Sequence, residues 1–377
     1  MPDRVLRAID RPTIDHRGPE FRALGREVLT GLRRVFKTAH PVVIFPASGT
    51  GAWEAALCNT LSPGDRVLFF DCGFFSGKWE GVAEQLGLRP ERIEGDWRAP
   101  IRIDALAQRL ADDPMKEIRA VAVVHNETST GVTHPVARVR QALDKAAHPA
   151  LLMVDAVSSL GSIDYRHDEW SVDVAIAASQ KGLMLPPGLS FNALSPKALE
   201  ARTRAKCPRA YWDWGPQLEA NEEGFFPYTP STNLLYGLRE ALAMLEEEGL
   251  AAVFARHTRL ATGARAAFEA WGLEFYGTDP DSRSSVVTAF VMPEGFDGDT
   301  LRKTVLERYD LSLGGGLGRL RGRVVRLGHL GSLNEMMLAG ALAGIELGLG
   351  DLGIPMKASG VAAAVAALRT ALAPAHA

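Results

Sequence analysis

Short apolar runs alternate with amphipathic stretches along the first half of the chain. The stretches at 103–113 and 136–147 place apolar residues every three or four positions, which predicts helices. Four runs have the length and composition of buried strands: Asp65–Phe70, Ala120–His125, Ala150–Asp155 and Val172–Ala178. Strand and helix alternating at this spacing predict an α/β fold, with a mostly parallel central sheet and helices on both faces.

The pattern changes after residue 249. A helix predicted to follow Thr229 carries leucines three and four residues apart and ends near Gly249, where we place a domain boundary. Beyond it, the pattern at 251–272 predicts another helix. Gly360–Ala377 is typical of a surface helix with a frayed tail, and two apolar runs are typical of strands. These runs are Ser285–Val291 and Arg323–His329. We therefore expect a large domain at 16–249 and a small C-terminal α+β domain at 250–377.

Composition narrows the class of protein. Of 377 residues, 46% are hydrophobic and 23% charged, and the net charge of −3 gives no support for binding nucleic acid or an anionic membrane. No apolar run has the length of a membrane-spanning helix, and Met1–Asp10 lacks the apolar core of a signal peptide. Three cysteines without a CxxC motif indicate reduced thiols, so we expect a cytoplasmic protein. Nine scattered histidines give no support for a metal site.

The segment "ASGTGAWEAAL" at 47–57 leads small residues directly into a helix. Backbone N–H groups and the positive end of the helix dipole there favour an anion, and Ser48 and Thr50 add hydroxyl donors. A simple helix cap remains the alternative. The segment does not fit a dinucleotide-binding fingerprint, because no third glycine follows Gly49 and Gly51 at the required spacing.

Two charged residues end neighbouring predicted strands. Asp155 ends the run "ALLMVD", and Lys181 follows the next strand in "ASQKGLMLPPG". Ligands bind beyond the carboxyl ends of parallel strands, so both side chains are expected at one crevice. Taken singly, a cap or a surface acid remains the alternative for Asp155, and a solvated surface lysine is the usual interpretation of Lys181.

Together, a phosphate cradle, a carboxylate and a lysine are the groups that pyridoxal phosphate (PLP) requires. The lysine forms a Schiff base with the cofactor, and the acid pairs with the protonated pyridine nitrogen. A buried ammonium is costly, and condensation with an aldehyde would explain a lysine after an apolar run.

Five motifs resemble the class V, fold type I aminotransferases: "HNETSTGV", "VDAVSSLGS", "SQKGLMLPPG", "FPYTP" and "RLGHLG". The likeness runs from about Asp15 to the C-terminal region and is greatest to the serine–glyoxylate and alanine–glyoxylate branch, with an aspartate–glyoxylate enzyme as near kin. The resemblance implies the PLP-dependent transferase fold. It makes Lys181 the Schiff-base lysine and Asp155 the partner of the pyridine nitrogen. Arg326, in "RVVRLGH", would bind the substrate carboxylate, unless it is a surface strand residue.

The resemblance also implies the other contacts of the cofactor. Phe75, in "GFFSG", would stack on the ring, where the animal branch has a larger tryptophan. Thr128 would hydrogen-bond near the phenolic oxygen. The phosphate would be held by Ser48, Gly49, Thr50 and Gln180.

Family active sites form across a dimer interface. By resemblance, Thr229 would reach the phosphate in the neighbouring subunit of a homodimer. Phe226 stands where the animal branch has a tyrosine and cannot donate a hydrogen bond, so we also assign Tyr228 to the cofactor site. Other features have simpler interpretations: His125 and His329 as packing or hydrogen-bonding residues, and the glycine-rich 314–323 as a flexible turn before the Arg326 strand.

A "GPGP"-like segment usually precedes the stretch that matches residues 2–21 in this family. This chain begins at Met1, so we expect either a late start or an N-terminal arm, 1–15, that is truncated and leaves the substrate site more open.

The expected function is transamination, with glyoxylate as amino acceptor and a small L-amino acid as donor. "RAYWDWGPQ" resembles the serine-using branch and favours serine over aspartate or alanine. A cysteine desulfurase or other lyase on the same fold remains an alternative, although Cys207 lies in no recognisable desulfurase motif. An inactive PLP-binding protein is the other alternative, and the joint presence of Lys181, Asp155 and Arg326 argues against it.

Overall fold

The computed structural model describes residues 1–372, and its central feature is a seven-stranded sheet. The strands of the first two thirds of the chain are β1 (Val42–Phe45), β2 (Arg66–Phe70), β3 (Arg89–Ile93), β4 (Ile118–Val124), β5 (Asn126–Glu127), β6 (Val132–Thr133), β7 (Leu151–Asp155), β8 (Val174–Ala178) and β9 (Ser190–Leu194). The sheet order is β1-β9-β8-β7-β4-β2-β3, and β5 pairs with β6 in a separate hairpin. The pairs from β3 to β8 are parallel, and β9 runs antiparallel to β8 and β1.

Helices cover both faces of this sheet. They are α1 (Asp3–Ile9), α2 (Pro19–Phe36), α3 (Gly49–Thr60), α4 (Phe74–Gln85), α5 (Ile103–Ala111), α6 (Val136–Lys145), α7 (Pro196–Arg204), α8 (Trp214–Glu222) and α9 (Thr232–Glu248). Along β4, Val121 and Val123 join one hydrophobic core, and Ala120 and Ala122 join the other. Because side chains alternate across a strand, the two cores lie on opposite faces, and the predicted two-sided α/β architecture is confirmed.

The chain after Gly249 forms a smaller sheet of its own. Its elements are α10 (Leu250–Trp271), β10 (Glu274–Phe275), β11 (Val287–Val291), α11 (Gly298–Tyr309), β12 (Gly314–Gly315), β13 (Val324–Gly328), α12 (Glu335–Asp351) and α13 (Gly360–Leu372). The order β10-β11-β13-β12 is antiparallel throughout. Phe268 and Phe290 pack in a third core, with ring centroids 4.6 Å apart. The tail predicted at 373–377 lies outside the described residues.

Several elements differ from the sequence-based expectation. The sequence pattern did not indicate β1, β3 and β9, because β1 is short, β3 contains a proline and is polar at the sheet edge, and β9 contains Asn192. The buried Asn192 amide donates to the Ala52 carbonyl oxygen instead of breaking the strand. The helix expected directly after Thr229 begins at Thr232, because Pro230 disfavours helical backbone at the residue before it. None of the helices within 1–372 combines the length and apolar character needed to cross a membrane.

Candidate active site

A cavity of about 250 Å³ opens at the carboxyl ends of the parallel strands. It brings together eight of the predicted site residues: Ser48, Gly49, Thr50, Phe75, Thr128, Asp155, Gln180 and Lys181. Asp155 is the last residue of β7, and Lys181 lies in the turn that follows the neighbouring β8. Strand adjacency therefore places the carboxylate and the amine at one crevice, as predicted.

The Asp155 carboxylate is buried and held at both oxygens. Its Oδ2 accepts a hydrogen bond from the Trp53 indole N–H at 2.9 Å, and its Oδ1 accepts from the Val157 backbone N–H at 2.7 Å. Burial raises the pKa of Asp155 to about 6, against the opposing effect of these two donors and of the positive charge on Lys181. The hydrogen bonds therefore do not fully offset the cost of burying the negative charge of Asp155. A cationic group beside this carboxylate would stabilise its ionised form.

The Lys181 side chain is half-buried at the cavity. Burial lowers the pKa of Lys181, the Arg326 guanidinium lowers it further, and Asp155 acts in the opposite direction. The pKa shift means that the amine loses its proton more readily than a surface lysine does. A neutral amine is both a nucleophile and a base.

The start of α3 forms the expected anion cradle. Ser48 precedes the first helical residue, and its hydroxyl makes no capping hydrogen bond to α3, so it remains available to a ligand. A Cβ at Gly49 would approach Cγ2 of Val157 to 2.7 Å, so only glycine allows this close approach to the turn after β7. Gln180 also lines the cavity, and its side-chain NH₂ group can donate to an anion. Helix N–H groups, two hydroxyls and an amide NH₂ group are suited to a phosphate group.

Arg326 lies on β13 of the smaller sheet and reaches the cavity wall from outside. Its Nε donates to the Gly315 carbonyl oxygen at 2.9 Å, and its Nη1 donates to the Thr128 carbonyl oxygen at 2.8 Å. Within the part of the chain that the structure describes, the other three of its five N–H groups, on Nη1 and Nη2, have no acceptor. A fork of this kind matches a carboxylate. Burial lowers the pKa of Arg326, and Glu127 opposes this shift.

Tyr228 and Thr229 do not line the Lys181 cavity of their own chain. Both are exposed and line a separate, much smaller cavity together with Phe226. The Tyr228 ring stacks on Tyr211, with the ring centroids 5.1 Å apart. A role in the site of a second subunit stays a prediction.

The histidines set aside in the sequence have structural roles. The buried His125 Nδ1 lies 2.9 Å from the Ser159 hydroxyl, and the buried His329 Nε2 lies 2.9 Å from the Thr288 hydroxyl. The glycine-rich segment before the Arg326 strand is more ordered than expected, because β12 pairs with β13.

Sequence reasoning missed Trp53 and Glu127. Trp53 stands four residues after Gly49 in the same helix, so both face the cavity, and this spacing was a usable signal. Glu127 is fully buried beside Thr128, and only its position as an acid at the end of an apolar run marked it in the sequence.

The donor set fits PLP. A nucleophilic amine, a buried carboxylate, an anion cradle and the Phe75 ring line one cavity.

Comparison with known proteins agrees with this site. The model of the family "Aminotransferase class-V" matches residues 8–318. The chain is 46% identical over 366 residues to the L-aspartate–glyoxylate aminotransferase of Paracoccus denitrificans, covering 97% of this chain and 92% of that protein. It is 47% identical over 376 residues to the serine–glyoxylate aminotransferase of Methylorubrum extorquens, covering 98% and 94%. The crystal structure of ureidoglycine–glyoxylate aminotransferase from Bacillus subtilis superposes with a TM-score of 0.92 at 27% identity, covering 98% of this chain and 95% of that chain.

Proposed function

Because the chain belongs to the class-V aminotransferase family, and is therefore a PLP-dependent aminotransferase, we propose that glyoxylate is its amino acceptor. An L-amino acid is the donor, and the products are glycine and a 2-oxo acid. Relatives named for glyoxylate transamination align over nearly the whole chain. The observation that carries the proposal is the cavity that joins Lys181, Asp155 and the α3 cradle, with the Arg326 fork at its wall.

We assign proton transfer to Lys181. When bound, PLP supplies an aldehyde that condenses with amino groups and a ring that takes up the electron pair of a broken C–H bond. With PLP bound, the Nζ of Lys181, with its pKa lowered by burial, would take the proton from the donor's α-carbon and deliver it to the former aldehyde carbon of the cofactor. The same amine would carry out the reverse transfer when glyoxylate is the acceptor. The two half-reactions predict ping-pong kinetics.

We assign Asp155 to the pyridine nitrogen and the cradle to the phosphate. The carboxylate, oriented by Trp53 and Val157, would keep a proton on that nitrogen. Phe75 would stack on the ring, and Thr128 would hydrogen-bond near the phenolic oxygen. The phosphate would be held by Ser48, Gly49, Thr50 and Gln180.

We assign Arg326 to the carboxylate that donor and acceptor share. The remaining N–H groups on Nη1 and Nη2 can donate hydrogen bonds to both oxygens of a carboxylate. Both substrates then occupy the same position in turn, as a ping-pong reaction requires.

Serine is the proposed donor, supported by the 47% identical serine-using relative and by the segment "RAYWDWGPQ". Aspartate is a second candidate, because the 46% identical Paracoccus denitrificans relative is named for it. A panel of serine, aspartate and alanine with glyoxylate held constant, measured by glycine formation, tests the function and ranks the donors. Absence of glycine with every donor in PLP-loaded protein would contradict the proposal and favour a lyase or an inactive PLP-binding protein.

The desulfurase alternative requires a mobile, reactive thiol. Cys207 does not fit this role, because it is buried and burial raises its pKa.

The proposed active unit is a homodimer in which Thr229 and Tyr228 serve the partner's cofactor site. Their exposure outside their own cavity supports this arrangement. Mixing Lys181→Ala with Thr229→Ala protomers should restore part of the activity if the Thr229 variant is severely impaired, since one site of each hybrid is intact. Full activity in a protein that light scattering shows to be monomeric would contradict it.

The chain is proposed to divide into an arm at 1–15, a cofactor-binding domain at 16–249 and a small domain at 250–377. A hydrophobic core built only from residues after Gly249, which includes Leu260 and Leu368, supports the second boundary. A cytoplasmic location is proposed from the three unpaired, buried cysteines.

A further inference from the structure

Glu127 is a buried carboxylate between Asn126 and Thr128, two residues that line the cofactor cavity, and the proposed chemistry gives it no role. It is 0% exposed, and both of its oxygens accept two hydrogen bonds. Oε1 accepts from the Ser129 backbone N–H at 3.0 Å and from the Ser129 hydroxyl at 2.6 Å. Oε2 accepts from the backbone N–H groups of Phe75 at 3.2 Å and Ser76 at 3.3 Å. Burial raises the pKa of Glu127 to about 7 in spite of these donors.

The carboxylate replaces a helix cap at the start of α4. The residue before this helix is Gly73, which carries no side chain that could accept from the first N–H groups. Glu127 accepts from two of these groups, and the Ser129 hydroxyl accepts from a third, at Phe74. A Cβ at Gly73 would collide with Cγ and Cδ of Glu127, so glycine is required for this approach. The position of the Phe75 ring therefore depends on a carboxylate 52 residues away.

The same segment fixes Arg326. The carbonyl oxygen that accepts from Arg326 Nη1 belongs to Thr128, the residue directly after Glu127. The negative charge of Glu127 also offsets part of the lowering of the pKa of Arg326 that burial and the neighbouring Arg302 cause. Segment 127–129 therefore makes two sets of contacts. Its side chains accept from the backbone at the start of α4, which bears Phe75, and its Thr128 carbonyl oxygen accepts from the Arg326 guanidinium.

We propose that Glu127 is a positioning residue of the active site, whose carboxylate couples the start of α4 to the Thr128 carbonyl and so fixes Phe75 and Arg326 relative to each other. The inference rests on the proposed roles of those two residues. Glu127 itself touches neither substrate nor cofactor in this assignment.

Glu127→Gln isolates the carboxylate with little change in volume. An amide has one accepting oxygen, and its NH₂ group would face two N–H or O–H donors on whichever side it lies. The start of α4 and the Ser129 turn must then shift. A displacement of about 1 Å at a positioning residue lowers catalytic efficiency by about 10²-fold.

Asp113 offers a matched control far from the cavity. It is a buried carboxylate that accepts from the backbone N–H groups of Glu117 and Ile118, at 3.1 and 2.8 Å. Asp113→Asn should therefore also lower the urea midpoint, without affecting the site. Ser129→Ala removes one bond to Oε1 and the acceptor of the Phe74 N–H, and should give a weaker version of the Glu127→Gln effect.

Three quantities are measured on PLP-loaded protein and its apo form: kcat/KM, the inhibition constant of glycolate and the dissociation constant of PLP. Glycolate carries the carboxylate of glyoxylate without its carbonyl, so it reports on Arg326 independently of turnover. For Glu127→Gln we expect kcat/KM to fall by about 10- to 100-fold and both constants to rise by about 10-fold. Asp113→Asn should stay within about twofold of wild type in all three.

A folded Glu127→Gln protein within twofold of wild type in all three quantities would overturn the inference, as would an equal effect of Asp113→Asn. In an Arg326→Lys background, Glu127→Gln should weaken glycolate binding by much less than in wild type. If the double variant instead raised the inhibition constant of glycolate by the product of the two single-variant factors, the link between Glu127 and Arg326 would be overturned. Failure of the proposed function looks different, because wild type would then make no glycine. The dissociation constant of PLP would still test the link to Phe75 in that case.

Discussion

The hydrogen bond from the Trp53 indole to Asp155 should control how easily the carboxyl group ionises in the cofactor-free protein. Trp53→Phe removes the N–H at 2.9 Å from Oδ2 and leaves the Val157 N–H on Oδ1 in place. Both partners are buried, so water does not substitute readily for the lost donor. We expect the pKa of Asp155 to rise further.

The magnitude follows from the burial of the carboxylate. The pKa of Asp155 is raised from 3.8 to about 6, so the ionised group already costs about 3 kcal/mol of folding stability at neutral pH. A hydrogen bond to a buried charge contributes about 2 kcal/mol, which is a factor of about 30 in the ionisation equilibrium. The sign is that of a raised carboxyl pKa: stability is lost as pH rises through the folded-state pKa. Trp53→Phe should therefore lose about 2 kcal/mol more at pH ~8.5 than at pH ~5.

Urea unfolding of the apo protein at several pH values, at one protein concentration, measures this difference. Trp79→Phe is the matched control. The Trp79 ring stacks on Trp53 with the centroids 6.0 Å apart, is fully buried, and its N–H has no hydrogen-bond partner within residues 1–372. Its replacement changes the packing of the same core without touching Asp155. We expect its effect on stability to be the same at both pH values.

The reasoning would be refuted if the two variants showed the same dependence of stability on pH. It would also be refuted if Trp53→Phe were more destabilised at pH ~5 than at pH ~8.5. Either result would mean that the indole N–H does not stabilise the ionised form of Asp155.

Three further predictions concern single residues. Borohydride should fix PLP covalently in wild type but not in Lys181→Ala, which should bind some cofactor through the α3 cradle and lose at least ~10²-fold in kcat; near-normal turnover would remove the proposed proton transfer. Asp155→Asn should act mainly on kcat, whereas Arg326→Lys, which loses the planar fork, should raise KM about 10-fold with a smaller change in kcat; steady-state kinetics would expose an exchange of roles. Burial lowers the pKa of His125 to about 4, so its contribution is present above pH ~6.5 and lost as pH falls toward ~4; His125→Gln should flatten the loss of stability in that window by up to about 3 kcal/mol, measured by urea unfolding.

Local pattern was sufficient for the architecture and for several of the residues that line the cavity. Buried parallel strands are continuous apolar runs, so β4, β7 and β8 were visible from composition and length. Asp155 ends β7 and Lys181 follows β8, and strand order in an α/β sheet brings such ends to one edge. The cradle before α3 was recognisable because a helix start and its hydroxyls are contiguous in sequence.

Contacts between distant segments were decided by the tertiary structure alone. No pattern near Phe75 shows that its N–H is bound by Glu127, 52 residues away, and none near Arg326 shows that it donates to Thr128, 198 residues away. The sequence specified which residue types follow each strand, because periodicity and propensity act over a few residues. Which buried donor meets which buried acceptor depends on how whole elements pack, and that packing sets the pKa of Asp155 and the orientation of the arginine.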